Sequence, residues 1–296
     1  MLSTAHRYVL SVAETGSIRS SSQRLNVAAS AISRQIQLVE HQFGYPLFER
    51  FASGMVLTHE GQILVRHLRH TAREVELAQA EMNALHGLVT GTIRFAAIEG
   101  VLTSWLIPAM AAFRAQHPGV TFEGQILGSQ AAYDLVMVDR LDFGVVVYTD
   151  EWPGIEIRKR YDTPLLAAMH PDHPLAGHPA ISLELLAREP LIMLDRSYAT
   201  RTAFDRLIAN AGLTSVVAFD VNHIEIAKRY VLETKGMTIL PEYAVSMEVT
   251  DGSMVTRPLT TGQAVLDTVL FTRKSATHNK ATDSFLRALM LAATDF

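Results

Sequence analysis

Between Thr58 and Gly87 the sequence holds no proline and one glycine, Gly61, and apolar or small residues recur at Leu64, Leu68, Thr71, Val75, Ala78, Met82 and Leu85. Alternating steps of four and three place these side chains along one side of a single long helix, the spacing of a coiled-coil seam. Two arrangements satisfy the pattern: the seam packs on its own domain, or it meets a second copy of itself. The heptads it sustains favour the second, and a dimer is expected. Thr58 is the expected cap of this helix, which separates a short part of the chain from a long one.

The two parts differ in charge. From Met1 to Arg73 eight arginines stand against four acids, a balance of +4, whereas the 296 residues together carry −4, so the remainder is −8. A basic segment at the head of an acidic body is what a specific DNA module joined to a sensor would show. With 48% hydrophobic residues the chain can bury more than one core. Cysteine is absent, which excludes disulfides, iron–sulfur clusters, thiolate zinc sites and thiol redox sensing. Apolar runs such as Gly144–Tyr148 and Pro190–Leu194 fall far short of the roughly 20 residues that span a bilayer. The first residues lack a basic stretch followed by an apolar run, so a cytoplasmic location is expected.

Before the seam, Tyr8, Val9, Val12 and Ala13 have helical spacing over residues 3–14, and Thr15-Gly16-Ser17 breaks that helix and offers Ser17 as the next N-cap. A second helix runs from Ile18 to Leu25, Asn26-Val27 turns the chain, and a third follows over 28–43 with Gly44 at its end. Three short helices with a tight turn between the second and third make a helix-turn-helix, whose second member lies in a major groove. Phe51 to Thr58 reads as a hairpin turning at Ser53-Gly54, a wing. Tyr8, Val12, Leu25, Ile32, Ile36, Val39 and Phe48 form the expected core.

Beyond Gly87 and Gly91 the pattern changes. Strands are expected at 93–98, 120–127, 142–148, 156–161, 164–169, 190–195, 215–220, 237–240, 254–259 and 265–273. Helices are expected at 101–116, 129–140, 183–187, 202–211, 223–234 and 279–293. Alternation of this kind gives a mostly parallel sheet with helices on both faces. Its extent exceeds one small sheet, so two subdomains with a cleft between them are expected.

Several segments are similar to the LysR-type DNA-binding domain: Val12-Ala13-Glu14-Thr15-Gly16-Ser17, Ser30-Ala31-Ile32-Ser33-Arg34-Gln35-Ile36 with Val39-Glu40, Gly44, Leu47-Phe48-Glu49-Arg50, and Leu57-Thr58 with Gly61. More diffusely, Pro108, Phe113, Pro118, Leu141-Asp142-Phe143-Gly144 and Asp172-His173-Pro174-Leu175-Ala176 resemble the sensor domain of that family. The chain departs from it at Ala29-Ser30, where Gln-Pro or Gln-Ser is frequent, and at Ser20-Ser21, where Ala-Ala is. Loss of a glutamine at the head of the recognition helix removes an amide contact to a base edge, so the operator differs from the commonest half-site.

The resemblance implies an α+β multidomain protein. A winged helix-turn-helix (1–58), a linker helix (59–90) and an effector domain like a periplasmic binding protein (91–296) follow one another. The effector domain would divide into one subdomain of 91–161 with 265–296 and another of 162–264. It further implies a transcription regulator rather than an enzyme, with double-stranded DNA, a polar or zwitterionic metabolite and RNA polymerase as partners. A homodimer and a homotetramer are the implied assemblies, and no cofactor is implied.

Ser30, Ser33, Arg34 and Gln35 lie on the expected recognition helix, where Arg34 can bind guanine O6 and N7 together. Ser17, Ser22, Gln23, Arg50 and Ser53 suit phosphate contacts, which position rather than specify. For each serine a cap or a solvated surface group is the plain alternative, and for Arg34 a surface salt bridge.

In the sensor part an effector is expected at strand ends and helix N-termini. The candidates are Ile98, Glu99, Gly100, Thr103, Ser104, Gly128, Ser129, Arg196, Tyr198, Thr200, Asn222 and His223. Glu99 stands where the family often carries Ser or Thr. It opposes a simple anion unless Arg196 or Arg201 compensates, which points to an amine-bearing or zwitterionic effector. A helix cap or structural pair is the alternative for Glu99 and for His223.

His170, Asp172, His173 and His178 sit in a proline-broken stretch that does not hold metal-ligand spacing, and no metal is expected there. No Gly-x-Ser-x-Gly, His-Glu-x-x-His or phosphate-loop motif occurs, and no catalytic residue is assigned. The remaining alternatives are a solute-binding protein and a regulator switched by a protein partner.

Overall fold

The computed structural model describes residues 3–52, 54–86, 88–149, 151–260 and 265–292. The chain divides into two compact units, one built chiefly from residues before 88 and the other from residues after it.

The first unit comprises α1 (Thr4–Thr15), α2 (Ile18–Leu25), α3 (Ala29–Phe43), β1 (Phe48–Phe51), β2 (Gly54–Leu57) and α4 (His59–Leu85). Ser17 caps α2 as expected, accepting from the Ser20 amide at 3.3 Å. Asn26 ends α2 in the left-handed conformation (φ 52), which Asn tolerates better than most residues. The Ser22 hydroxyl donates to the Val27 carbonyl at 2.6 Å, pinning the turn between α2 and α3. The hairpin starts earlier than the sequence reading placed it, pairing from Phe48↔Leu57 to Phe51↔Gly54, because Phe48 is anchored in the core. Its expected turn residue Ser53 lies outside the described residues.

Tyr8, Val12, Ile32, Ile36, Val39 and Phe48 form this core with Val9, Leu47, Val65 and Leu68, and Leu25 packs on it. Leu68 therefore belongs to the unit's own core rather than to a free seam, and Leu64 packs beside it. From Thr71 onward the seam is different: Thr71, Val75, Ala78, Met82 and Leu85 are exposed, Leu85 to 86%. Thr58 caps α4 by accepting from the Gly61 amide at 2.9 Å. Gly61 packs so closely that a Cβ there would fall 2.0 Å from the Leu47 carbonyl oxygen.

The second unit begins with β3 (Gly91–Ala97), α5 (Glu99–Val101), a π turn (Leu102–Leu106), α6 (Ile107–Gln116), β4 (Val120–Ile126), α7 (Ser129–Met137) and β5 (Phe143–Val147). It continues through β6 (Ile155–Met169), α8 (Leu183–Leu186), β7 (Pro190–Leu194), α9 (Ala199–Asn210), β8 (Val216–Val221), α10 (Ile224–Thr234) and β9 (Met237–Pro241). A 3-10 turn (Glu242–Ala244), α11 (Ser246–Asp251), β10 (Val255–Pro258), β11 (Val265–Arg273) and α12 (Lys280–Ala292) complete it.

Eight of these strands connect in the order β4-β3-β5-β11-β6-β9-β7-β8, with β10 beside β6. The pairs β3–β4, β3–β5, β7–β8 and β7–β9 are parallel. β11 runs antiparallel to both β5 and β6.

Three expectations change. The strands placed at 156–161 and 164–169 are one strand, β6, whose first half pairs with β11 and whose second half pairs with β9 and β10. Pro164 sits at the end of the β11 pairing, where a missing N–H is tolerated. The helix expected over 101–116 is interrupted, since Pro108 cannot donate to the Ser104 carbonyl and the chain widens so that the Ile107 amide bonds to Leu102. The helix expected to reach 140 stops at Met137.

Candidate nucleic-acid interface and ligand cleft

On α3 the burial of Ile32, Ile36 and Val39 turns the opposite face outward. Ser30 and Arg34 are exposed there, and Ser33 and Gln35 are half-buried. No ion pair or hydrogen bond involves the Arg34 side chain among the described residues, so the salt-bridge alternative falls away. Arg50 on β1 and Gln23 on α2 are also exposed, whereas Arg24 is held by Glu14 at 2.7 Å. Ser17 and Ser22 serve as cap and turn clamp, as the plain alternative for serines anticipated, and each keeps acceptor capacity.

In the second unit a cleft of about 800 Å³ opens at the carboxyl ends of the parallel strands, the place where open α/β sheets bind ligands. The β3–α5 turn brings Ile98, Glu99 and Gly100 to it, the β4–α7 turn Gly128 and Ser129, the β7–α9 turn Tyr198 and Thr200, and the β8–α10 turn Asn222. These eight expected residues converge. Gly100 is required for that approach, as a Cβ would meet the Tyr243 ring at 2.7 Å.

Four expected residues do not line the cleft. Thr103 and Ser104 bond back to the Gly100 carbonyl at 3.1 and 2.7 Å. Arg196 is 82% exposed, with Asp205 at 3.7 Å. His223 stands behind Glu99, its Nδ1 2.9 Å from Oε1. Among the residues missed, Arg206 lines the cleft with Thr202 and Ala203. Helical spacing along α9 from Tyr198 through Thr202 to Arg206 was the signal that would have found it.

Glu99 is buried, and its Oε2 accepts from the Tyr198 hydroxyl at 3.1 Å and from the Ile224 amide at 3.3 Å. It thus caps α10, not the helix it begins. The Tyr198 hydroxyl is pushed up to about 12, chiefly by burial and further by the Glu99 carboxylate, so it remains a donor at neutral pH. Arg201 is buried and taken by Asp205 at 2.8 Å, Asp220 at 3.2 Å and the Leu194 carbonyl at 3.1 Å. It does not compensate Glu99.

The histidines of the proline-rich loop act within it: His170 Nδ1 accepts from the Asp172 amide at 3.0 Å and His173 Nδ1 from the Leu175 amide at 3.2 Å. Among the described residues no group of three or more His, Asp or Glu is placed to hold a metal ion. No described helix is long and apolar enough to cross a membrane.

A helix-turn-helix unit followed on one chain by a cleft-bearing α/β unit is the build of a DNA-binding regulator. Residues 4–62 match the model of the bacterial regulatory helix-turn-helix proteins of the LysR family, and residues 86–293 match the LysR substrate binding domain. The chain belongs to the LysR family of DNA-binding transcriptional regulators. It is 26% identical over 246 residues to the RuBisCO operon transcriptional regulator of Allochromatium vinosum, covering 83% of this chain and 81% of that one. It is 26% identical over 254 residues to the transcriptional activator CmpR of Synechocystis, covering 85% and 83%. A full-length OxyR variant from Pseudomonas aeruginosa superposes with a TM-score of 0.72 at 18% identity, covering 98% and 95%. CbnR in complex with its target DNA gives 0.66 at 20%, covering 99% and 100%.

Proposed function

We propose that α3 reads an operator half-site through Ser30, Ser33, Arg34 and Gln35 while Ser17, Ser22, Gln23, Arg50 and Ser53 position the reader on phosphates, and that a small molecule in the cleft modulates the outcome. The observation that carries the DNA reading is the exposed, unpaired Arg34 on the outer face of a helix whose inner face is fixed by three buried aliphatics. A guanidinium held this way is ready for bidentate contact with guanine. The exposed stripe from Val75 to Leu85 supports a dimer formed along α4, which would present two readers to an inverted repeat.

For the cleft, supporting observations are its volume, its position at strand ends and a mainly apolar lining with a few polar groups, among them Glu99, Ser129, Tyr198 and Asn222. These favour a small molecule over a switch made by a protein partner alone.

The test is a gel shift on DNA from the neighbouring intergenic region. Wild type should bind one site specifically and in a salt-sensitive way. Arg34→Ala should lose about 10- to 100-fold at that site, the scale of one bidentate base contact. Equal affinity of wild type for every DNA sequence at physiological salt would refute the operator reading.

A further inference from the structure

We propose, taking the cleft as the effector site, that the ligand it accepts carries a protonated amine, and that metabolites charged only by carboxylates are refused. Glu99 is the reason. It is 6% exposed and lines the cleft, and its Oε2 already fills the amino end of the eleven-residue helix α10 through the Ile224 amide. The position where a helix N-terminus would draw in a ligand's carboxylate is therefore held by the chain's own carboxylate.

The other oxygen tells what is wanted instead. Glu99 Oε1 is buried, with His223 Nδ1 2.9 Å away. Asp267, also in the cleft wall, repeats the pattern, with Oδ2 held by Arg160 and Oδ1 buried without a donor. Two carboxylates in one cleft wall, of which only Asp267 is paired to an arginine, favour a ligand that brings N–H groups, and a cationic one most. A ligand carboxylate brought to the same place would meet like charge. Neither nearby arginine relieves this, since Arg201 is fully paired and Arg196 lies outside the cleft. Arg206, exposed in the cleft wall, suits an anionic group at the far end of the same ligand.

The test uses the full-length protein and two short series of similar chain length that differ in the amines and carboxylates they carry: putrescine, 4-aminobutyrate and butyrate, then cadaverine, L-lysine, 6-aminohexanoate and hexanoate. Binding is followed by titration calorimetry and by melting temperature. At least one amine should bind and raise the melting temperature, with butyrate and hexanoate at least about tenfold weaker. Glu99→Gln, which keeps the shape of the side chain, should weaken the amine by about tenfold or more; Asp267→Asn gives the same reading should the first variant fold poorly.

Butyrate or hexanoate binding as tightly as the amines, amine binding unchanged in both variants, or no amine bound at all would overturn the proposal. Operator affinity measured beside each titration separates the two claims. A carboxylate-only compound that changes operator affinity overturns the amine and leaves the effector reading standing. An amine that binds in a Glu99-dependent way without touching operator affinity upholds the amine and overturns the effector reading.

Discussion

Gly61 shows how one residue can decide whether a reader forms. Its missing Cβ lets the first turn of α4 rest on the Leu47 carbonyl, which also accepts from the Thr58 amide at 3.0 Å. Gly61→Ala should force that backbone apart and destabilise the first unit by about 2 kcal/mol, in the range measured for overpacking. The readout is an earlier melting transition of the reader, with operator binding lost at a lower temperature than in wild type. His173 offers a second residue-scale test. Burial holds its imidazole below the ordinary value of 6.5, partly opposed by the Glu189 carboxylate. Between the folded value and 6.5 the unfolded chain takes up a proton that the folded chain refuses, so this contribution is complete above about 6.5 and is lost as pH falls. His173→Asn keeps an acceptor for the Leu175 amide and removes the titration. Its melting temperature should fall less than that of wild type between pH 7 and 5.

At the scale of elements, α4 changes role along its length. Val65 and Leu68 complete the core of the first unit, while Val75, Met82 and Leu85 stand in solvent on the same rod. Met82→Glu with Leu85→Glu should convert a dimer to a monomer in sedimentation velocity while leaving the fold of the first unit intact by circular dichroism, because neither residue reaches that core. A dimer that survives both charges would move the contact elsewhere. The sequence made the heptads legible but not their division, since a four-three spacing is the same whether the partner is Tyr8 of the same unit or a second chain. The same limit split β6 in two: Asp162-Thr163-Pro164 has the composition of a turn, and pairing with Val265, Leu266 and Asp267 of β11 keeps it extended up to Leu165, where the pairing with β9 begins. In the cleft, turn residues such as Gly128-Ser129 and Asn222 were legible because strand ends announce themselves. Asp267 was not, because its place depends on how β11 packs.

For the whole molecule, the net charge of −4 hides a first part of +4 joined to a body of −8. Binding to a polyanion must then rest on a few local cations, and each should be visible in the salt dependence. Arg34 and Arg50 are both exposed on the first unit, yet they are assigned different tasks. Arg50→Ala should weaken operator and random DNA alike and reduce the slope of log affinity against log salt by about 1, as the loss of one phosphate contact does. Arg34→Ala should lower operator affinity far more than random-sequence affinity, narrowing the gap between them. Fluorescence anisotropy on an operator and a scrambled duplex between 50 and 200 mM salt, about the range over which such contacts are resolved, reads both effects. If the two variants gave the same slope and the same loss of discrimination, the division between positioning and reading would fail, and the reader's specificity would have to come from the shape of the DNA instead.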